Sequence, residues 1–187
     1  MIKRILDIIA SVCGLVFILP FTPFIALAIY LESGAPAFVK LDRVSEGRVI
    51  KAYKFRSMVQ NAAKMKEQLR HLNERKDGPL FKLKNDPRLT RTGKFLRKLR
   101  LDEFPQFLNV LKGELSLVGP RPHEPEEMNQ YPPEFKKLYY AKGGLTGLSQ
   151  IMGASLLPFK KELEYDLYYL EYQSLWLDLK ILAKTIW

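Results

Sequence analysis

The residues best suited to chemistry are two adjacent carboxylates, Asp102 and Glu103, set among Arg88, Arg91, Lys94, Arg97, Lys98 and Arg100. An ionised aspartate can attack phosphorus and form an acyl phosphate when the phosphate charge is neutralised. A neighbouring glutamate can hold Mg2+, which takes oxygen ligands and bridges phosphates. Arginines grip phosphate oxygens in pairs. Phosphoryl transfer calls chiefly for those parts: position, metal and positive charge. A helix N-terminus and the nearby arginines would keep such an aspartate ionised. There is a plainer reading, in which Asp followed by Glu is ordinary capping and the cations are ordinary surface partners. The residues alone leave both open.

Other chemistries find less support. The chain has no GxGxxG or GxxxxGK[ST] nucleotide loop, no GxSxG elbow and no metalloprotease helix motif. His71 and His123 stand far apart without companion cysteines, which argues against structural zinc. The single cysteine, Cys13, lies in an apolar run, can form no intrachain disulfide, and suits a reducing compartment. A formal net charge of +10 asks for an anionic partner: nucleic acid, an acidic lipid surface or a phosphorylated substrate. Basic and aromatic residues are not organised into a recognisable nucleic-acid motif, so nucleic acid is not expected.

At 187 residues the chain fits one compact catalytic unit, and the elements that must position the carboxylates can be read along it. Ala37 to Phe55 suggests two short strands around a turn at Ser45-Glu46-Gly47. Val59 to Asn73 is helix-compatible, and Glu74 to Asp86 reads as a charged loop. Thr92 to Arg100 is a basic helix with Phe95, Leu96 and Leu99 on one face. From Asp102 to Leu111, Phe104, Phe107, Leu108 and Leu111 form a helical stripe. Asp102 stands at the expected N-cap, Pro105 falls in the first turn, and Lys112-Gly113 closes the helix. Leu115 to Val118 reads as a buried strand entering the stiff Gly119-Pro120-Arg121-Pro122 turn. A short helix is expected from Pro132-Pro133 to Ala141, a strand near Leu148 to Met152, and a helix over Pro158 to Tyr172. Leu175 to Trp187 is apolar around most of its circumference, with Lys180, Lys184, Trp176 and Trp187 at its margins. It suits either a bilayer interface or a docked core position.

Residues Ile5 to Leu31 are apolar almost throughout, interrupted by Asp7. The run is long enough to span a bilayer. Pro20 and Pro23 interrupt its middle, and the arm before Pro20 reaches only about 22 Å, short of a core of roughly 30 Å. Basic residues flank both ends: Lys3 and Arg4 before, Lys40, Arg43, Arg48 and Lys51 after. A re-entrant hairpin over residues 1–34, bent at Pro20 and Pro23, satisfies both features better than a straight span. A signal peptide ending at Ala26-Leu27-Ala28 fits less well, because the apolar run continues past it. The expected fold is therefore α+β and mainly helical: a monotopic membrane hairpin, a short β-hairpin, interfacial amphipathic helices, and a catalytic unit over residues 35–187.

Several segments occur in a telling order. They are Lys54-Phe55-Arg56-Ser57-Met58, Asn85-Asp86-Pro87-Arg88, Leu101-Asp102-Glu103-Phe104-Pro105-Gln106, Asn109-Val110-Leu111-Lys112-Gly113 and Val118-Gly119-Pro120-Arg121-Pro122. Leu145-Thr146-Gly147, Tyr165 to Tyr169 and Ser174 to Ile181 continue the set. Together they resemble the bacterial sugar transferase family, the small monotopic phosphoglycosyl transferases, over nearly the whole chain.

The resemblance implies a re-entrant helix at the cytoplasmic face of the bacterial inner membrane and a ping-pong reaction. Asp102 would be the nucleophile on the β-phosphate of a UDP-sugar, releasing UMP. Polyprenyl (undecaprenyl) phosphate would then take the phosphosugar in the first membrane step of surface polysaccharide assembly. Glu103 would hold Mg2+. Lys54, Arg56, Arg88, Arg121 and Lys142 would meet phosphate or nucleotide, and Asp166 would orient an arginine or support the metal. The implied partners are the UDP-sugar, undecaprenyl phosphate and membrane lipid; a homo-oligomer is left open. Some positions depart from the family pattern. Leu19-Pro20 replaces Ser-Pro at the bend, with Thr22 a substitute for the lost hydroxyl. Arg100 replaces Ser or Thr, and Lys142-Gly143-Gly144 replaces Arg-Pro-Gly, so Lys142 lacks a planar fork. These departures keep two alternatives in view: an inactive relative serving as a membrane assembly partner, and a basic membrane-surface binding protein.

Overall fold

The computed structural model describes residues 2–186, apart from the side chains of Ser155 and Ile186. The expectation for Trp187 lies outside the described residues. The apolar run forms two arms. Helix α1 (Ile2–Ile18) leads into a 3-10 turn at Leu19–Phe21, and α2 (Thr22–Ser33) follows. Proline at 20 and 23 removes backbone donors, so the α-helical ladder is interrupted there. The Thr22 amide turns to the Leu19 carbonyl, and the Thr22 hydroxyl donates to the freed Ile18 carbonyl at 3.0 Å. Thr22 thus supplies the bond that Leu19 cannot. Each arm is short: 17 residues in α1 and 12 in α2, about 25 and 18 Å at 1.5 Å per residue.

Both ends of the run are tied to the same protein body. At the start of α1, Lys3 Nζ reaches Asp178 Oδ2 at 2.7 Å and the Val118 carbonyl at 2.9 Å. Arg4 donates to the Val110 and Leu111 carbonyls at 2.5 and 2.7 Å. Asp7, the one acid in the apolar run, is buried and accepts from the Ser116 hydroxyl and the Leu117 amide. At the end of α2, Glu32 accepts from the Arg91 and Thr92 amides at 2.6 and 2.8 Å. Arg56 donates to Ser33 and to the Gly34 carbonyl. Between these anchors most side chains stand exposed, among them Leu19, Phe24, Leu27 and Leu31.

The body begins with an antiparallel hairpin, β1 (Phe38–Ser45) and β2 (Arg48–Phe55), paired from Phe38↔Phe55 to Ser45↔Arg48. Its two-residue turn places Glu46 and Gly47 at positive φ, which matches the twist of the strands. A short helix α3 (Ala62–Gln68) and a loop precede α4 (Arg91–Lys98). Next comes a 3-10 turn over Leu101–Gln106, entered through Arg100 in the left-handed region, and only then α5 (Phe107–Leu111). The continuous helix expected from Asp102 is therefore two pieces, and Asp102 is inside the turn rather than its N-cap. Pro105 suits the start of the segment as observed at Leu101, since it has no N–H to donate back to the Leu101 carbonyl.

Strand β3 (Ser116–Val118) is followed by α6 (Pro125–Met128) and a 3-10 segment at Pro133–Tyr140. Strand β4 (Gly144–Thr146) pairs in parallel with β3. Leu148 to Met152, expected as a strand, instead opens as helix α7 (Leu148–Ile151). The pairing begins four residues earlier because Gly144 allows contact with the Gly119 backbone, where a Cβ would lie 2.1 Å from nitrogen. Helices α8 (Phe159–Glu171) and α9 (Leu175–Ile186) complete the chain. Ile181 of α9 is fully buried while Leu175, Trp176 and Leu179 are exposed, so α9 docks one face and bares another.

Three apolar clusters carry the packing. One gathers Val44, Met128, Tyr131, Phe135, Leu138, Phe159 and Leu163 under β1. A second joins Ile50, Val110, Leu115, Leu117, Val118, Tyr169 and Ile181. The third, Ile18, Ile29, Phe55 and Leu96, seats the two apolar arms on β2 and α4.

Helix α4 is held at unusually close range. A Cβ on Gly93 would stand 1.9 Å from the Ser57 carbonyl oxygen, a backbone atom that cannot swing aside. Gly93→Ala is expected to cost about 1–3 kcal/mol through overpacking. A thermal melt in detergent reads this as a lowered midpoint, and an unchanged midpoint would show that α4 is free to shift.

Candidate active site

Three segments converge on the Leu101–Gln106 turn. Strand β2 runs beside it and supplies Lys54, whose Nζ lies 2.5 Å from Glu103 Oε1. Helix α4 supplies Arg97, whose Nε donates to Ser57 Oγ at 2.9 Å while its charge acts on Asp102 and Asp86. The Gly119 to Pro122 turn supplies Arg121, whose charge acts on Glu103.

The two carboxylates experience this setting differently. Asp102 is 5 % exposed. Burial raises its pKa and the Glu103 charge adds to that, against the pull of Lys54 and Arg97. The expected helix-terminal aspartate, kept ionised by the backbone dipole, is thus corrected: loss of water dominates at position 102. Burial also pushes Glu103 up, but Lys54 and Arg121 outweigh it and hold the carboxyl below its ordinary range. Adjacent acids driven in opposite directions can take separate roles.

The remaining predicted residues divide into groups. Arg121 is exposed, and its backbone amide donates to Asp166 Oδ2 at 3.1 Å. Asp166 is buried beneath the Pro120-Arg121-Pro122 turn, and its Oδ1 has no hydrogen-bond partner. Arg88 is buried and committed to Asp86 through two bonds, Nε–Oδ1 at 2.9 Å and Nη2–Oδ2 at 2.7 Å, with its guanidinium over Phe81. Arg56 is buried at the exit of α2, where burial lowers its pKa. Lys142 pairs with Glu46 in the β-hairpin turn at 3.2 Å. The geometry therefore gathers Lys54, Asp102, Glu103 and Arg121, and engages Arg56, Arg88 and Lys142 elsewhere.

Sequence reasoning named Arg97 only as one of six surrounding cations, without a role of its own, and gave none to its partner Ser57. A signal existed: Gly93 and Arg97 are four apart and share a helix face, and the glycine marks where that face meets backbone. Asn109 was also missed. Fully buried, it accepts from the Tyr53 amide and donates to the Lys51 carbonyl and Glu114. It fastens α5 to β2, and with it the strand bearing Lys54.

Among the described residues, no three His, Cys, Asp or Glu side chains cluster as a ready cation cage. That donor set suits Mg2+ all the same, because this ion keeps waters and substrate phosphates and needs only one or two carboxylates. Asp102 and Glu103 offer such a pair.

A family model described as bacterial sugar transferase matches residues 1–187. The chain belongs to the bacterial sugar transferase family. It is 37% identical over 188 residues to a UDP-galactose-lipid carrier transferase of Erwinia amylovora, covering 99% of this chain and 39% of that protein. It is 40% identical over 193 residues to a UDP-glucose:undecaprenyl-phosphate glucose-1-phosphate transferase of Klebsiella pneumoniae, covering 98% and 39%. The sugar transferase EpsL of Bacillus subtilis, itself uncharacterized, is 36% identical over 190 residues, with 99% and 85% covered. The chain thus spans about two fifths of the first two relatives and most of the third.

Asp166 yields a pH prediction. Burial pushes its carboxyl up to about 7, against the Ser149 hydroxyl and the Arg121 amide and with help from Glu162. Unfolded, an aspartate ionises near 4, so from about pH 4 to 7 the folded state keeps a proton the unfolded chain has lost. Stability therefore falls as pH rises through that window. Asp166→Asn is expected to flatten this slope in thermal melts, raising the midpoint at pH 8 relative to the parent. An unaltered slope would show the proton to be held elsewhere.

Proposed function

We propose that the chain is a phosphoglycosyl transferase that moves a sugar 1-phosphate from a UDP-sugar to polyprenyl phosphate. The observation that carries this reading is the convergence of Lys54, Arg97 and Arg121 on the adjacent carboxylates Asp102 and Glu103, in a chain of this family. Relatives named for UDP-glucose and undecaprenyl phosphate support the substrate classes.

The step proceeds by two displacements at one phosphorus. An Asp102 carboxylate oxygen bonds to the β-phosphorus, the bond to the bridging oxygen breaks, and UMP leaves with that oxygen. The sugar phosphate is then held on Asp102 as an acyl phosphate. A phosphate oxygen of the polyprenyl acceptor attacks the same phosphorus, the bond to Asp102 breaks, and the carboxylate is restored. Lys54 and Arg121 offset the charge that gathers on the phosphoryl oxygens. Because Asp102 is covered, Lys54 must leave Glu103 when the donor phosphate arrives, exchanging a carboxylate partner for a phosphate one. Glu103, with Asp102 beside it, would hold Mg2+, which supplies charge neutralisation on the diphosphate.

The same reading sets the chain at a membrane as a hairpin. Two arms shorter than a bilayer core, a proline-broken centre and anchors from both ends to one body favour a re-entrant insertion over a span. The basic flanks favour the cytoplasmic face of a bacterial inner membrane.

Two experiments test this. With Mg2+ and a panel of UDP-sugars, the purified protein is expected to release UMP, and Asp102→Asn to abolish release; wild-type release from Asp102→Asn would refute the nucleophile. For topology, Ile2→Cys and Lys76→Cys, each in a Cys13→Ser background, are expected to react with a membrane-impermeant maleimide from one side of sealed vesicles. Labelling from opposite sides would establish a span.

A further inference from the structure

Four phenylalanines from two distant segments form a continuous run of ring contacts. Phe21 lies at the membrane bend and meets Phe17 with centroids 5.7 Å apart. Phe17 meets Phe104 at 6.1 Å, across the gap between α1 and the catalytic turn. Phe104 meets Phe107 edge-on at 5.4 Å. Phe107 in turn fills a notch in α1 at Gly14, where a Cβ would stand 2.5 Å from its ring. This notch seats α1 so that Phe17 faces Phe104.

The run has two unlike ends. Phe17 and Phe21 are 59 and 51 % exposed, so much of each ring is left uncovered by protein. Phe104 directly follows Glu103, where Lys54, Arg97 and Arg121 gather. Elsewhere α1 bares aliphatic residues such as Ile5, Ile9, Val12 and Val16. A track with an apolar aromatic end and a cationic end fits one long hydrocarbon chain headed by phosphate. A two-chain phospholipid would have to bring its glycerol into the catalytic turn.

We propose that Phe21, Phe17, Phe104 and Phe107 form a rail for the isoprenoid chain of the lipid acceptor, guiding its phosphate from the membrane bend to Asp102. The identity of the acceptor rests on the transferase reading; the rail itself rests on the ring geometry. Aromatic faces offer contact beyond simple burial, which a methyl-branched unsaturated chain can exploit.

The test uses the protein in phosphatidylcholine nanodiscs and a benzophenone-bearing polyprenyl phosphate. Photolabelling is expected on the peptides holding Phe17, Phe21 or Phe104. Excess polyprenyl phosphate should suppress it about tenfold, and hexadecyl phosphate should leave it nearly intact. In steady-state kinetics the Phe17→Ala/Phe21→Ala variant should raise KM for polyprenyl phosphate about tenfold without moving KM for the UDP-sugar. Both rings are exposed, so their removal spares the core; Phe104→Leu, which keeps an apolar side chain, should give the same split more weakly. Equal suppression by hexadecyl phosphate, labelling away from these peptides, or KM values that move together would overturn the rail. Competable labelling without UMP release from any UDP-sugar would instead defeat the transferase reading and leave the rail standing.

Discussion

Two consecutive carboxylates in a covered turn are costly to fold. Each loses water, and the Glu103 charge raises the pKa of Asp102 further. Asp102 and Glu103 are tolerated because cations reach them from elements far apart in sequence: Lys54 from β2, Arg97 from α4 and Arg121 from the turn after β3. Taking away one partner of such a set leaves an uncompensated charge, which costs far more than a surface pair. That one electrostatic demand fixes where β2, α4 and the Pro120-Arg121-Pro122 turn must lie. Much of the remaining polar framework, including Asn109 between α5 and β2 and Asp166 under Arg121, keeps those three in place.

The membrane arms belong to the same framework. The four amides at the start of α4 are all satisfied: Arg91 and Thr92 by Glu32, Gly93 by the Thr90 hydroxyl and Lys94 by the Thr90 carbonyl. Helix α2 therefore caps the helix that carries Arg97 toward Asp102. At the other side of the joint, Arg56 clasps the exit of α2 only two residues beyond Lys54. The seat of the apolar run and the charge balance at the carboxylates share two short lengths of chain. Buried polar bonds supply the registration that apolar packing alone would leave loose.

Sequence patterns revealed the parts that depend on local rules. The β-hairpin turn at Glu46-Gly47, the proline break at Pro20 and Pro23, and α4 with its buried Leu96 follow from turn chemistry and periodicity. The adjacent acids and their cationic setting were legible as composition. What stayed hidden was decided by tertiary contact. Burial at Asp102 reverses the effect of a helix terminus, and nothing local announces it. Leu148 to Met152 is apolar enough for a strand, yet the tight approach of Gly144 to Gly119 moved the pairing upstream. Arg88 reads as a phosphate ligand, and its Nε and Nη2 are taken by Asp86, two residues away, a pairing that spacing alone does not announce. Arg56 and Lys142 likewise have carbonyl and carboxylate partners outside the Leu101–Gln106 turn.

Those engaged arginines bear on how the reaction would be kept to transfer. An acyl phosphate is prone to hydrolysis, so an enzyme that holds one benefits from excluding water around it. A nucleophile on an open helix cap, with arginines free in solvent, would meet water as readily as an acceptor. Asp102 is instead buried, with exposed Arg121 and part-buried Lys54 nearby and with Arg88 and Arg56 bonded into the frame. Approach along aromatic and aliphatic surface admits a chain-bearing phosphate and disfavours water. In the proposed reaction, the burial that raises the pKa of Asp102 would also direct a phosphosugar held there to a lipid. In that reaction Lys54 would turn to substrate when a phosphate replaces Glu103 as its partner, whereas Arg121 is exposed from the start.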